Sequence, residues 1–84
     1  MLITDDIDKE ELKEFYLKIG QKIKQIRKLK NLTQMELAHK IGHSSVALVA
    51  KAEILSYDKH FNLEHLYRIS KVLDIPMSDF FIDN

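Results

Sequence analysis

Leu12, Phe15, Ile19, Ile23 and Ile26 stand three, four, four and three residues apart. A helix gathers that spacing onto one side, whereas a strand would scatter it over two. The stripe predicts an amphipathic helix from about residue 8 to about residue 30, with Tyr16 and Leu29 beside it. Acids crowd its first turns and cations its last, the order that the helix dipole favours. Gly20 inside it costs about 1 kcal/mol relative to alanine, so either packing wants no side chain there or the helix breaks near it. No segment alternates with period two, and glycine and proline total three residues. The chain is therefore expected to be all-α.

The rest of the chain divides into short helical segments with recognisable ends. Thr33-Gln34-Met35-Glu36 has the form of a capping box, in which the Thr33 hydroxyl and the Glu36 carboxylate each accept the other residue's backbone N–H. Leu32 is placed to staple onto Leu37, and Gly42 to end this second helix, expected over 34–41, in a left-handed conformation. Ser44 or Ser45 is expected to cap a third helix running to about residue 55. That stretch is unusually apolar, with Lys51 and Glu53 its only charges. A loop from about 56 to 61 leads to Asn62, a second cap, with Phe61 and Leu66 as its staple pair. Leu63, Leu66, Ile69 and Leu73 form the inner stripe of a fourth helix. Pro76 is suited to the first turn of a short fifth one over 77–81. The aromatics Tyr57, Phe61, Tyr67, Phe80 and Phe81 are assigned to the core or to an interface.

Eighty-four residues make one small domain. At this size a chain buries only about 60–65% of its unfolded surface, so a partner subunit would help its stability. No apolar run approaches the roughly 20 residues that a membrane-spanning helix needs. The acidic N-terminus lacks the layout of a secretion signal. There are no cysteines, which excludes disulfide scaffolds and thiolate zinc sites and points to a cytoplasmic location. His39 and His43 have helical ligand spacing, but Gly42 is expected to end the helix between them. No metal, no cofactor and no catalytic residue is expected, because no nucleophile–base pair and no phosphate-binding glycine loop occurs.

The 13 basic and 13 acidic residues cancel in sum but are segregated along the chain. Residues 1–17 carry a net charge of −4, residues 18–51 carry +7 and residues 52–84 carry −3. The basic block leads into two short helices joined by a glycine turn, which makes a helix-turn-helix unit plausible. In such a unit the second helix lies in the DNA major groove, and the first helix's N-terminus faces the phosphates. Each phosphate neutralised would steepen the salt dependence of binding by about 0.9 log units per log of salt.

Ile19-Gly20, Ile23, Arg27, Leu32-Thr33-Gln34, Glu36-Leu37-Ala38, Ile41-Gly42, Glu53, Leu66, Ile69, Val72-Leu73 and Phe80-Phe81 together resemble the XRE family. These are the lambda-repressor-like, Cro/CI-type helix-turn-helix domains. The resemblance implies a five-helix DNA-binding domain with an extended first helix. Residues 1–17 would form an acidic extension, 18–81 the domain and 82–84 a tail. It further implies sequence-specific binding of double-stranded DNA by a homodimeric transcriptional regulator, a repressor by expectation, with Gln34 touching phosphate and base. The residues expected at DNA are Thr33, Gln34, Ser44, Ser45, Val46, Ala47, Lys51 and Lys59, with His60 in the same loop. Arg27 and Glu53 resemble the family's internal ion pair. The turn after Gly42 is longer than the family's, and the loop after Glu53 has Ile54 and Leu55 in place of the usual glycine. Val46, Ala47 and Leu48 offer no hydrogen bonds to base edges, so thymine methyls or DNA shape would have to supply specificity. The alternative is a protein-interaction module, antitoxin-like in kind, whose partner sits on the apolar third helix or the C-terminus.

Overall fold

A computed structural model of the chain describes residues 7–42 and 46–82. Within them lie four α-helices, α1 (Lys9–Leu29), α2 (Gln34–Lys40), α3 (Ala47–Ile54) and α4 (Leu63–Leu73). Two 3-10 turns, Ser56–Asp58 and Met77–Phe81, complete the elements, and no strand occurs among the described residues. No described helix is long and apolar enough to cross a membrane.

Each helix begins and ends for a local chemical reason. Asp8 caps α1 by accepting the Glu10 N–H at 2.9 Å. The helix then runs unbroken through Gly20, and Asn31, left-handed at φ +60°, lets the Leu32 N–H close back onto the Arg27 carbonyl at 3.1 Å. The capping box of α2 is present in both directions: Glu36 N–H to Thr33 Oγ1 is 3.0 Å and Thr33 N–H to Glu36 Oε1 is 2.9 Å. Gly42 follows at φ +83°. Asn62 caps α4 through a second box, completed by the side chain of His65 where a glutamate is more usual.

The core draws on every helix. Ile19 and Ile23 of α1 meet Leu37, Ala38, Ile41, Val49 and Ala52 from the α2–α3 region, while Phe61, Leu66, Ile69, Leu73 and Phe80 close the other side. Leu32 packs against this cluster, of which Leu37 is a member, and Phe61 and Leu66 both lie inside it. α3 packs mainly on α1 and α2. Gly20 is where α1 and α3 touch: a Cβ there would lie 2.5 Å from the Ala52 carbonyl oxygen and 2.8 Å from that of Glu53.

Three expectations are corrected. The fifth helix is a five-residue 3-10 turn, because so short a segment is better closed by i→i+3 bonds such as Asp79 N–H to the Pro76 carbonyl at 3.0 Å. The apolar stripe of α1 outruns the core. Leu12 and Phe15 are exposed, since the domain's packed layer begins at Ile19. Leu63 is likewise exposed, its place at the first position of α4 pointing it off the end of the bundle. Of the five aromatics assigned to the core or to an interface, Phe61 and Phe80 are in the core, while Tyr57 and Tyr67 are exposed and Phe81 is about half so.

Candidate nucleic-acid interface

The helix pair is held by a buried ionic knot. The Arg27 guanidinium grips both oxygens of Glu53, with Nε to Oε2 at 2.7 Å and Nη2 to Oε1 at 3.1 Å. Its Nη1 donates to the Leu32 carbonyl at 2.7 Å. Glu53 is completely buried and Arg27 nearly so. Gln34 joins the same knot, its Nε2 donating to Glu53 Oε1 at 2.9 Å. The carboxylate thus ties α1, the start of α2 and α3 into fixed relative positions, and the guanidinium adds the loop before α2. A bidentate pair of this kind fixes direction as well as distance.

This arrangement refines the place expected for Gln34. Its amide nitrogen serves the knot, which orients the side chain and leaves the carbonyl oxygen and a second N–H beyond it. Thr33 is exposed beside it, its hydroxyl engaged in the capping box. Within that box the Thr33 backbone amide, aided by the Thr33 hydroxyl and the charge of Lys40, holds the Glu36 carboxyl below its ordinary range. A carboxyl depressed in the folded state contributes its stabilisation above its unfolded value and loses it as pH falls through the folded one. The cap of α2 is therefore expected to weaken only in acid. Thr33→Ala should lower stability by about 1 kcal/mol at neutral pH, read by denaturant unfolding.

α3 has two unlike sides. Val49, Ala52 and Glu53 face inward, and Leu48 packs against the core. Within the apolar block, Val49 is spent on the domain's own interior and Leu48 on its edge, while Val46, Ala47 and Ala50 stay partly or fully exposed. Ala47, Ala50, Lys51 and Ile54 form the outer side by helical spacing, with Val46 ahead of them 36% exposed. This side carries one cation and no acid, since Glu53 is the only acid of α3 and is turned inward. The short alanines would let another surface approach the helix backbone closely. α3 begins at Ala47, and Val46 before it is helical in conformation with no side-chain cap. Ser44 and Ser45, expected to cap this helix and to reach DNA, lie outside the described residues.

The loop after α3 contains no glycine and turns at a conformational cost. Leu55, Tyr57 and Asp58 all take positive φ, between +55° and +58°. Each left-handed residue of this kind costs roughly 1–2 kcal/mol. Lys59 is exposed at the loop's end. Lys51 reaches over the loop, its ammonium 5.5 Å from the centre of the Tyr57 ring. The first half of α1 meets the loop from the other side: Tyr16 stacks on His60 at 3.9 Å, and Lys13 Nζ lies 3.8 Å from Asp58. Arg68, from α4, donates to the Ile41 carbonyl at 3.2 Å and so closes the C-terminal end of α2.

The structure therefore brings together Arg27, Gln34 and Glu53 in the knot, and Lys51 and Tyr57 at the far end of α3. Tyr57, expected in the core or at an interface, is exposed beside Lys51.

A family model described as Helix-turn-helix matches residues 23–80. A search of the curated proteins gave no match.

Proposed function

The chain belongs to the XRE, lambda-repressor-like family of helix-turn-helix domains, a family of DNA-binding transcription regulators, and from that premise we propose that it binds duplex DNA sequence-specifically as a homodimeric repressor. The observation that carries this is the outer side of α3. Ala47, Ala50 and Lys51 are not sealed by the rest of the domain, and the helix's only acid is locked under Arg27. α3 lies in the major groove, with Val46 and Ala47 packing on thymine methyls and Lys51 on a phosphate. Gln34 and Thr33 meet the backbone from α2, and Lys59 meets it from the loop. With so few polar groups on α3, DNA shape and deformability carry much of the selectivity.

Support for a dimer comes from the other side of α1. There Phe15 and Phe81 stack at 6.5 Å, Ile82 is half exposed, and a groove of about 350 Å³ opens between α1 and the C-terminal turn. A second copy seated on these residues would double the DNA-binding surface, and its apolar contact would add to the stability of a small core.

Selection of bound duplexes from a random pool tests this reading. A symmetric dimer should enrich two inverted half-sites whose centres lie about one helical turn, or a multiple of it, apart. Recovery of the starting pool unchanged would reject sequence-specific binding. In a salt titration of the enriched duplex, Lys51→Ala should weaken binding and flatten the log–log slope by about 0.9 per site, while Gln34→Ala should weaken it with little change of slope.

A further inference from the structure

We propose that two copies of this chain pair through α1 laid antiparallel, the acidic first turns of each helix against the basic middle turns of the other. This rests on the homodimeric reading and adds to it the direction, the register and the contacting pairs of the seam. Glu11, Phe15, Lys18 and Lys22 stand four, three and four residues apart, so they share one side of α1, with Glu14 at its edge. Gly20, where α1 touches α3, is two residues from each lysine and so about 200° round the helix from both. A partner on this side leaves α3 open.

The apolar part of the seam is already exposed. Phe15, Phe81 and Ile82 stand about half in water, although the core beside them buries Ile19 and Phe80. Phe15 stacks on Phe81, and Ile82, Lys18 and Lys22 line the same groove. Leu12, a turn before Phe15, is exposed as well. The charged residues of the seam all precede the segment that matches the family, 23–80, so this surface belongs to the chain's own N-terminal helical turns.

The order of the charges selects the direction. A two-fold axis crossing α1 at residues 16 and 17 sets Glu11 opposite the partner's Lys22 and Glu14 opposite the partner's Lys18. Symmetry then makes each pair twice. Glu14 lies 3.9 Å from Lys18 of its own helix, so the partner's lysine extends an ion pair into a network. The two Phe15 rings fall within one turn of each other across the axis. A parallel arrangement would set acid against acid and lysine against lysine. Exposed ion pairs are individually weak, so the apolar contact supplies the hold, while the charges supply direction and register.

Reversing the charges in separate variants tests the seam. Glu11→Lys with Glu14→Lys makes this side wholly basic, and Lys18→Glu with Lys22→Glu makes it wholly acidic. In sedimentation equilibrium at low salt, each variant alone should dimerise about a hundredfold more weakly than wild type. An equimolar mixture of the two should recover the dimer, which shows the loss to be repulsion and not unfolding. A monomeric wild type, either variant dimerising as well as wild type, or a mixture no better than its components overturns the seam. Inverted half-sites still enriched by wild type in that event leave the duplex-binding reading standing. A wild type that dimerises by this seam but leaves the random pool unchanged keeps the seam and overturns that reading.

Discussion

Glu53→Ala is expected to destabilise the domain by about 3–5 kcal/mol, measured by urea or thermal unfolding. The carboxylate it removes is completely buried and accepts from Arg27 twice and from Gln34 once. The guanidinium left behind is itself almost fully buried, and its remaining partner is the Leu32 carbonyl. Removing one partner of such a pair strands the other charge in a medium that solvates it poorly, which is what sets the size of the loss. For a domain of this length the total stability is of the order of 4–12 kcal/mol, so the variant should be largely unfolded at moderate temperature. Replacing both partners together, Arg27→Met with Glu53→Leu, removes the stranded charge and should recover most of the loss. That double variant should still bind duplex DNA more weakly than wild type, because Gln34 would lose the oxygen that orients it. A double variant as unstable as Glu53→Ala would show that the knot supplies packing rather than charge compensation.

The second large effect is expected at Gly20. An alanine Cβ would stand 2.5 and 2.8 Å from two carbonyl oxygens of α3. These are backbone atoms with no rotamer to change, so α1 and α3 must move apart along their contact. Alanine's advantage over glycine inside a helix, about 1 kcal/mol, acts in the opposite direction. The overpacking outweighs it, and Gly20→Ala should lower stability by about 3 kcal/mol, near the upper end for such insertions. Because the contact sits where Ala52 and Glu53 meet α1, the variant should also loosen the Arg27–Glu53 bonds. Calorimetry reads the first consequence, and amide exchange at α3 reads the second. A Gly20→Ala protein more stable than wild type would mean that α1 and α3 do not approach this closely.

The features legible in the sequence were those written in local chemistry. The Thr33–Glu36 box, the left-handed Gly42 and the Asn62 cap each need only a few neighbouring residues, and each is present. The Arg27–Glu53 pair is a contact between distant residues, and only the family resemblance brought it into view. The Gln34–Glu53 bond had no such pointer, since 19 residues separate the partners and the start of α2 offered a phosphate contact as the simpler role. Periodicity identified the helices but not where burial stops along them. Leu12, Phe15 and Leu63 keep the spacing of a core stripe past the end of the packed layer. Between the core and an interface, the two places open to Tyr57, the loop's left-handed backbone decides against the core by turning the ring outward.

Residue-by-residue NMR shifts of the labelled domain, followed as the selected duplex is added at low salt, test the proposed interface most directly. The account predicts that the largest changes fall at Thr33 and Gln34, from Val46 to Lys51, and at Lys59, fading together as salt is raised. Changes confined to the acidic turns of α1 and to α4, or no change at any ratio of duplex to protein, would contradict it.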